Sequence, residues 1–222
     1  MVNPKNSFWL ALVFTIIIFL LGLTFGYFIE IYKADVSEEK ILGSEIELLD
    51  YSTRAELYKN LNLSCEPRMD AILKNADEIY YNALELERYE DSAKFTTMLL
   101  LLHKRYDLLR ASLWIDSNLV RKSCRQDVHV LLYLFEYKTE DVELKSMQGL
   151  YSRILSDMKS KHSDKIILLP VAMDLDLGSV DFIEKANNVS QAPAIIIDDN
   201  LVIQGRITFD ELESIIFNRN KQ

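Results

Sequence analysis

Cysteine occurs only twice in the 222 residues, at Cys65 and Cys124, and never as a C-x-x-C pair. That excludes a cysteine-built zinc module and a conventional dithiol motif. Glycine is scarce as well: the six glycines form no cluster, so no phosphate-cradling loop is present. The three histidines, His103, His129 and His162, stand far apart without ligand spacing, and no zinc site is read from them. A basic excess is also missing. The net charge of −9 gives no sign of a nucleic-acid surface and reads as ordinary solubility. Neither a metal nor another cofactor is expected.

What the chain does have is one long apolar run. Phe8 to Ile29, FWLALVFTIIIFLLGLTFGYFI, holds 22 residues without a charge. As a helix it spans roughly 33 Å, enough for a hydrocarbon core of about 30 Å. It is longer than a signal-peptide core and no A-x-A-like site follows it, so a retained signal anchor is favoured over a cleaved signal. Trp9 at one end and Tyr27 and Tyr32 at the other suit interfacial anchoring. Lys5 and the amine of Met1 precede the run without an acid, which leans the N-terminus to the cytoplasm and the rest outside. The expected protein is single-pass, with residues 1–7 inside and 8–29 in the membrane.

Residues 30–45 read as a linker, polar and acidic from Ala34 to Glu45, ADVSEEKILGSE. A helical region follows over 46–125. Apolar residues of ELLDYSTRAELYKNL recur at three- and four-residue spacing. Pro67 suits the first turn of a helix whose stripe is Ile72, Ala76, Ile79, Tyr80, Ala83 and Leu86. A polar break at Glu90-Asp91-Ser92, with Ser92 as cap, leads into a second long helix, completing a hairpin. His103, Arg105, Tyr106, Asp107 and Arg110 on that second helix read as its solvated face rather than a site.

After Arg125 the period changes. DVHVLLYLFEY is strand-like, TEDVELKSMQGLYSRILSDMKSKH helical, KIILLPVAMDLD a strand and GSVDFIEKANNV a short helix. APAIIID and NLVIQG are two more strands joined at Asp199-Asn200, and TFDELESIIFN is a helix capped by Thr208. The layout is α/β. The first two strands are almost wholly apolar, as parallel strands covered on both faces are.

These pieces, in this order, resemble a thioredoxin-like domain over about Val128 to Phe217, within a domain at 126–222. The likeness runs through the strand ending in Asp174-x-Asp176, the helix over Ser179 to Asn187, and the Val189-x-x-Ala192-Pro193 turn. It continues through the strand pair, Gly205 and the last helix. It implies that Ala192-Pro193 is cis, which would explain a proline ahead of three isoleucines. It also exposes a departure. Where such proteins carry C-x-x-C, this chain reads FEYKTEDVELK, Phe135 to Lys145, so the domain alone is expected to be inert in dithiol exchange. The surface left for binding another protein or an extended peptide is Lys138, Thr139, Glu140 and Asp141 with Ala192 and Pro193.

Cys65 and Cys124 flank the helical hairpin, and an antiparallel turn brings its two ends to one side. Hairpin arms unequal by roughly eight residues, about 12 Å, predict that the second helix must bend or unwind before the two can pair. A structural disulfide is favoured in an oxidising compartment. Free thiols on a cytosolic face, or a redox-active pair activated by Arg121, Lys122 and Arg125, are the alternatives. Asp174 and Asp176 form only a fragment of a calcium loop. Asn62-Leu63-Ser64 and Asn188-Val189-Ser190 are sequons that matter only after export.

The expected function is a membrane-anchored, redox-inactive binding or chaperone-like module outside the cytoplasm. The alternatives are a thiol-disulfide oxidoreductase using Cys65 and Cys124, and a structural subunit of a membrane complex.

Overall fold

The structure, a computed structural model, describes residues 4–60, 64–90, 96–124 and 127–217. Ser92, Arg125 and the Asn62-Leu63 pair of the first sequon lie outside them. The order of elements is α1 (Pro4–Asn60), α2 (Cys65–Glu90), α3 (Thr96–Cys124), β1 (His129–Phe135), α4 (Val142–Lys161), a 3-10 turn (Ser163–Lys165), β2 (Ile166–Ala172), α5 (Gly178–Asn187), β3 (Ala194–Ile197), β4 (Leu201–Gln204) and α6 (Phe209–Phe217). The fold is mixed α/β, and the chain divides into two units, Met1–Asp50 and Tyr51–Gln222.

In the first unit, Phe8–Ile29 is helical throughout, with mean hydropathy 2.6 and none of it buried. It is long and apolar enough to span a membrane. Trp9 and Tyr27 are both exposed. The 34–45 stretch, read from its polarity as a linker, is helical backbone within α1. Its glutamates, lysine and leucine are good helix formers, and charge alone does not break a helix.

In the second unit the sheet order is β2-β1-β3-β4. β1 pairs in parallel with β2, from His129 opposite Ile166 to Phe135 opposite Ala172. It pairs antiparallel with β3, which pairs antiparallel with β4. β1 is therefore central, and its apolar run is buried almost to the last residue. One face carries Leu131, Tyr133, Ile166, Ile195 and Ile197 against Tyr151, Leu155 and Met158 of α4 and Leu212 and Ile216 of α6. The alternate residues, Val130, Leu132, Leu134 and Ile196, are buried on the other face. There α3 packs against β1, β2 and α5.

Pro170 sits in mid-strand because of which way its residue faces. Met173 N–H donates to Phe135 C=O at 2.8 Å, so odd residues of β2 turn toward β1. Even residues, Pro170 among them, turn both backbone groups outward, where a missing N–H breaks no ladder bond. The turn between β3 and β4 is one residue earlier than expected. Asp198 and Asp199, at φ 56° and 69°, are its central pair, and Asn200 N–H closes it on Ile197 C=O at 3.2 Å. Thr208 caps α6 as expected: its Oγ1 accepts from Glu211 N–H, while the Glu211 carboxylate accepts from Thr208 N–H at 2.9 Å.

Two readings of the hairpin need correction. Tyr80 belongs outside the buried stripe of α2, being 52% exposed; among the described side chains the stripe is Met69, Ile72, Asn75 and Ile79, and Ala83 and Leu86 lie outside them. α3 has no free solvated face along its charged middle: Arg105, Tyr106, Asp107 and Arg110 are all buried. The helix is packed on both sides, by α2 and by the sheet with α5. Asp107 makes this tolerable. One carboxylate oxygen takes Arg110 at 3.1 Å and the other accepts Ala172 N–H at 3.2 Å, closing the last outward N–H of β2.

Burial pushes the Asp107 carboxyl up to about 6, against the pull of Arg110 and of the Ala172 hydrogen bond. The folded state therefore holds this proton more tightly than the unfolded chain does. Its contribution is full below the ordinary value of 3.8 and is lost as pH rises through about 6, a change of about 3 kcal/mol at most. Carboxyl carbon NMR should give a midpoint near 6 for Asp107; a midpoint below 4 would refute it.

Candidate functional site

The residues expected to form a binding surface come from two places in the sequence, and the sheet register brings them to one end. Leu134 pairs with Ala194, so the next positions, Phe135 and Pro193, stand side by side. Ala192-Pro193 is cis. Pro193 is buried and Ala192 half-buried, so it is the edge of this turn rather than the proline ring that meets solvent. β1 ends at Phe135 and leads directly into the 136–141 loop.

That loop is held by side chains reaching from elsewhere. The Gln148 amide donates to Glu136 C=O at 3.1 Å and accepts Glu136 N–H at 2.7 Å. The Asp174 carboxylate, from the segment after β2, accepts Tyr137 N–H at 2.7 Å and Lys138 N–H at 3.0 Å. The Tyr137 ring lies 4.3 Å from that of His103 on α3. Asp174 is thus a positioning residue. The acidic D-x-D is visible in the sequence, but nothing local reveals acceptance of amides 36 and 37 residues away.

Of the four loop residues, two are occupied by the fold. Asp141 is the N-cap of α4, its carboxylate accepting Glu143 N–H at 2.8 Å and Leu144 N–H at 3.2 Å. Thr139 Oγ1 accepts Asp141 N–H at 3.2 Å. Lys138 and Glu140 are exposed, and the Lys138 ammonium sits 5.3 Å over the Tyr137 ring. The solvent-facing chemistry of this end is therefore one cation and one anion beside a proline turn. No thiol belongs to it, because both cysteines are joined elsewhere.

Cys65 and Cys124 form a disulfide with Cα atoms 5.5 Å apart. The unwinding anticipated for α3 does not occur, and the helix continues to Cys124 itself. Helix α2 begins at Cys65 with 26 residues and α3 has 29, so the arms differ by three residues, about 4.5 Å. Two of the three cations expected to activate Cys124, Arg121 and Lys122, are engaged; Arg125 lies outside the described residues. Arg121 lies 3.4 Å from the Asp198 carboxylate and donates to its C=O at 3.2 Å, and Lys122 pairs with Asp199. Asp198 also accepts Val130 N–H at 2.9 Å and meets His129 Nδ1 at 2.7 Å. This cluster ties the disulfide end of α3 to the start of β1 and the end of β3. The disulfide and the Pro193 turn therefore lie at opposite ends of the sheet.

Asp176 takes a left-handed conformation, φ 52°, in the connection from β2 to α5. Among the described residues, no group of three or more His, Cys, Asp or Glu is placed to hold a metal ion. Neither a scan of family models nor a search of characterised proteins finds a match for this chain.

Two outcomes follow. Asp174→Asn should leave one loop amide without an acceptor, cost about 1–3 kcal/mol, and speed hydrogen exchange at Tyr137 or Lys138. Unchanged exchange at both would remove Asp174 from its positioning role. Replacing both cysteines by serine releases a loop with a sequence separation of 59 and should cost about 4 kcal/mol in chemical denaturation.

Proposed function

We propose that this chain is a membrane-anchored protein with a thioredoxin-like domain that carries no dithiol site and acts by binding polypeptide. In this reading Phe8–Ile29 is a single membrane span, the N-terminus is cytoplasmic, and the α/β domain works outside. What carries the reading is the register that sets the cis Pro193 turn beside the end of β1 and its 138–141 loop. The resemblance implies a cis proline and a C-x-x-C loop after the first strand, and here that loop has Lys138 and Glu140 exposed in place of thiols. The parallel β1–β2 pair and the closing antiparallel β3–β4 pair support the thioredoxin-like reading. The disulfide supports an oxidising compartment, and its engaged neighbours favour a structural role for it.

Without a nucleophile, the surface is left with shape, one charge of each sign and backbone groups. Those suit transient contact with an extended, partly unfolded chain. Fold alone does not assign this role, so the test addresses the surface.

The full chain in lipid nanodiscs should slow aggregation of a carboxymethylated, unfolded model protein. Lys138→Ala with Glu140→Ala should lose most of that effect, while the double cysteine-to-serine variant keeps it at a temperature where it remains folded. Equal protection by the Lys138/Glu140 variant would reject the surface. Loss confined to the cysteine variant would also reject the surface, since the alkylated client has no thiol to exchange and the effect would then lie at the disulfide end.

A further inference from the structure

On the outer edge of β2, separated from the Pro193 turn by β1 and sharing Phe135 with it, lies a second feature. The bonding directions already described leave the even residues of this strand facing outward. Its two ends are closed by side chains: Ile166 C=O accepts Lys159 Nζ at 2.7 Å, and Ala172 N–H donates to Asp107. Between them, Leu168 N–H and C=O and Pro170 C=O find no protein partner among the described residues. They border a cleft of ≈ 420 Å³ between α2, α3, α4 and this strand edge.

The cleft walls are aromatic. Tyr80 at the mouth is half exposed, Tyr106 comes from α3, and Tyr133 and Phe135 stack with centroids 5.6 Å apart. Its charged lining residues are Arg110, which is already paired with Asp107, and Lys159, whose ammonium has no carboxylate within ion-pair distance among the described residues. An unpaired strand edge is completed by another extended backbone, and alternate side chains of that backbone enter flanking pockets. Here the clamped ends allow a segment only one or two residues long to pair. The rings call for an aromatic or large apolar side chain, and the cationic lining favours an acidic neighbour over a basic one.

We propose that this cleft is a binding site for a short extended peptide segment, an aromatic residue next to an acidic one, added as a strand to Leu168 and Pro170 of β2. It is independent of the Lys138–Pro193 surface and stands or falls separately.

The probe is the blocked tripeptide Ac-Glu-Phe-Val-NH2, titrated to millimolar concentration into the 15N-labelled full chain in nanodiscs. The Leu168 amide should shift and its exchange slow as the N–H finds an acceptor. Methylating the phenylalanine nitrogen removes a donor and should weaken binding about fivefold. Tyr80→Ala, a change at an exposed position, should weaken it about tenfold, and the peptide with lysine for glutamate should also bind less well. Lys138→Ala with Glu140→Ala should leave the response intact. A silent Leu168 amide, equal binding of the N-methylated peptide, or a response abolished by the Lys138/Glu140 change would each overturn the proposal.

Discussion

Helix α3 must satisfy two neighbours at once, and the rest of the second unit depends on that constraint. An ordinary amphipathic helix has one buried stripe. This one is enclosed by α2 on one side and by the sheet and α5 on the other. Its charged residues are then tolerable only with partners in place, since a buried unpaired charge is costly. Asp107 with Arg110 and the β2 edge, Arg121 with Asp198, and Asp116 with Tyr51 at 3.3 Å are those partners. Each joins α3 to a segment distant in sequence or, for Arg110, neutralises the carboxylate that does so. The helix is shared by the hairpin and the sheet layer, and its polar groups tie the two together.

This is also why the strands are legible in the sequence and the burial of α3's charged middle is not. A strand such as His129–Phe135 announces itself by local composition, and its burial on both faces follows from the lack of polar alternation. The run His103 to Arg110 looks like a solvated face because its charges are visible and their partners are not. Ala172 lies 65 residues from Asp107, and Asp198 lies 77 from Arg121. Asp174 stands in a visible acidic pair, but the loop amides it holds lie 37 and 36 residues away. Pro170 is different: a mid-strand proline marks an edge by itself, and that signal was available in KIILLPVAMDLD. Tyr80 shows the ordinary limit of periodicity, since Ile79 and Tyr80 stand about 100° apart on the helix and only one fits the stripe.

The two ends of the sheet divide the work. One end is fastened covalently and electrostatically, through the disulfide, Arg121, Lys122 and the Asp198-Asp199 turn. At the other, Gln148 and Asp174 hydrogen-bond the loop backbone and the Tyr137 ring meets His103. A loop fixed through its amides keeps its place while its Lys138 and Glu140 side chains stay exposed. That is the physical basis on which a surface without nucleophiles still has a defined shape.

The Cys65–Cys124 bond also decides what a protease would leave behind. Everything from Cys65 to Cys124 forms a covalent ring, with the membrane-length helix attached on one side of it and the sheet on the other. A single cut inside that ring opens the hairpin's backbone but parts nothing, and the sheet remains tethered to the N-terminal helix through sulfur. After a cut inside the ring, release would require a reductant as well.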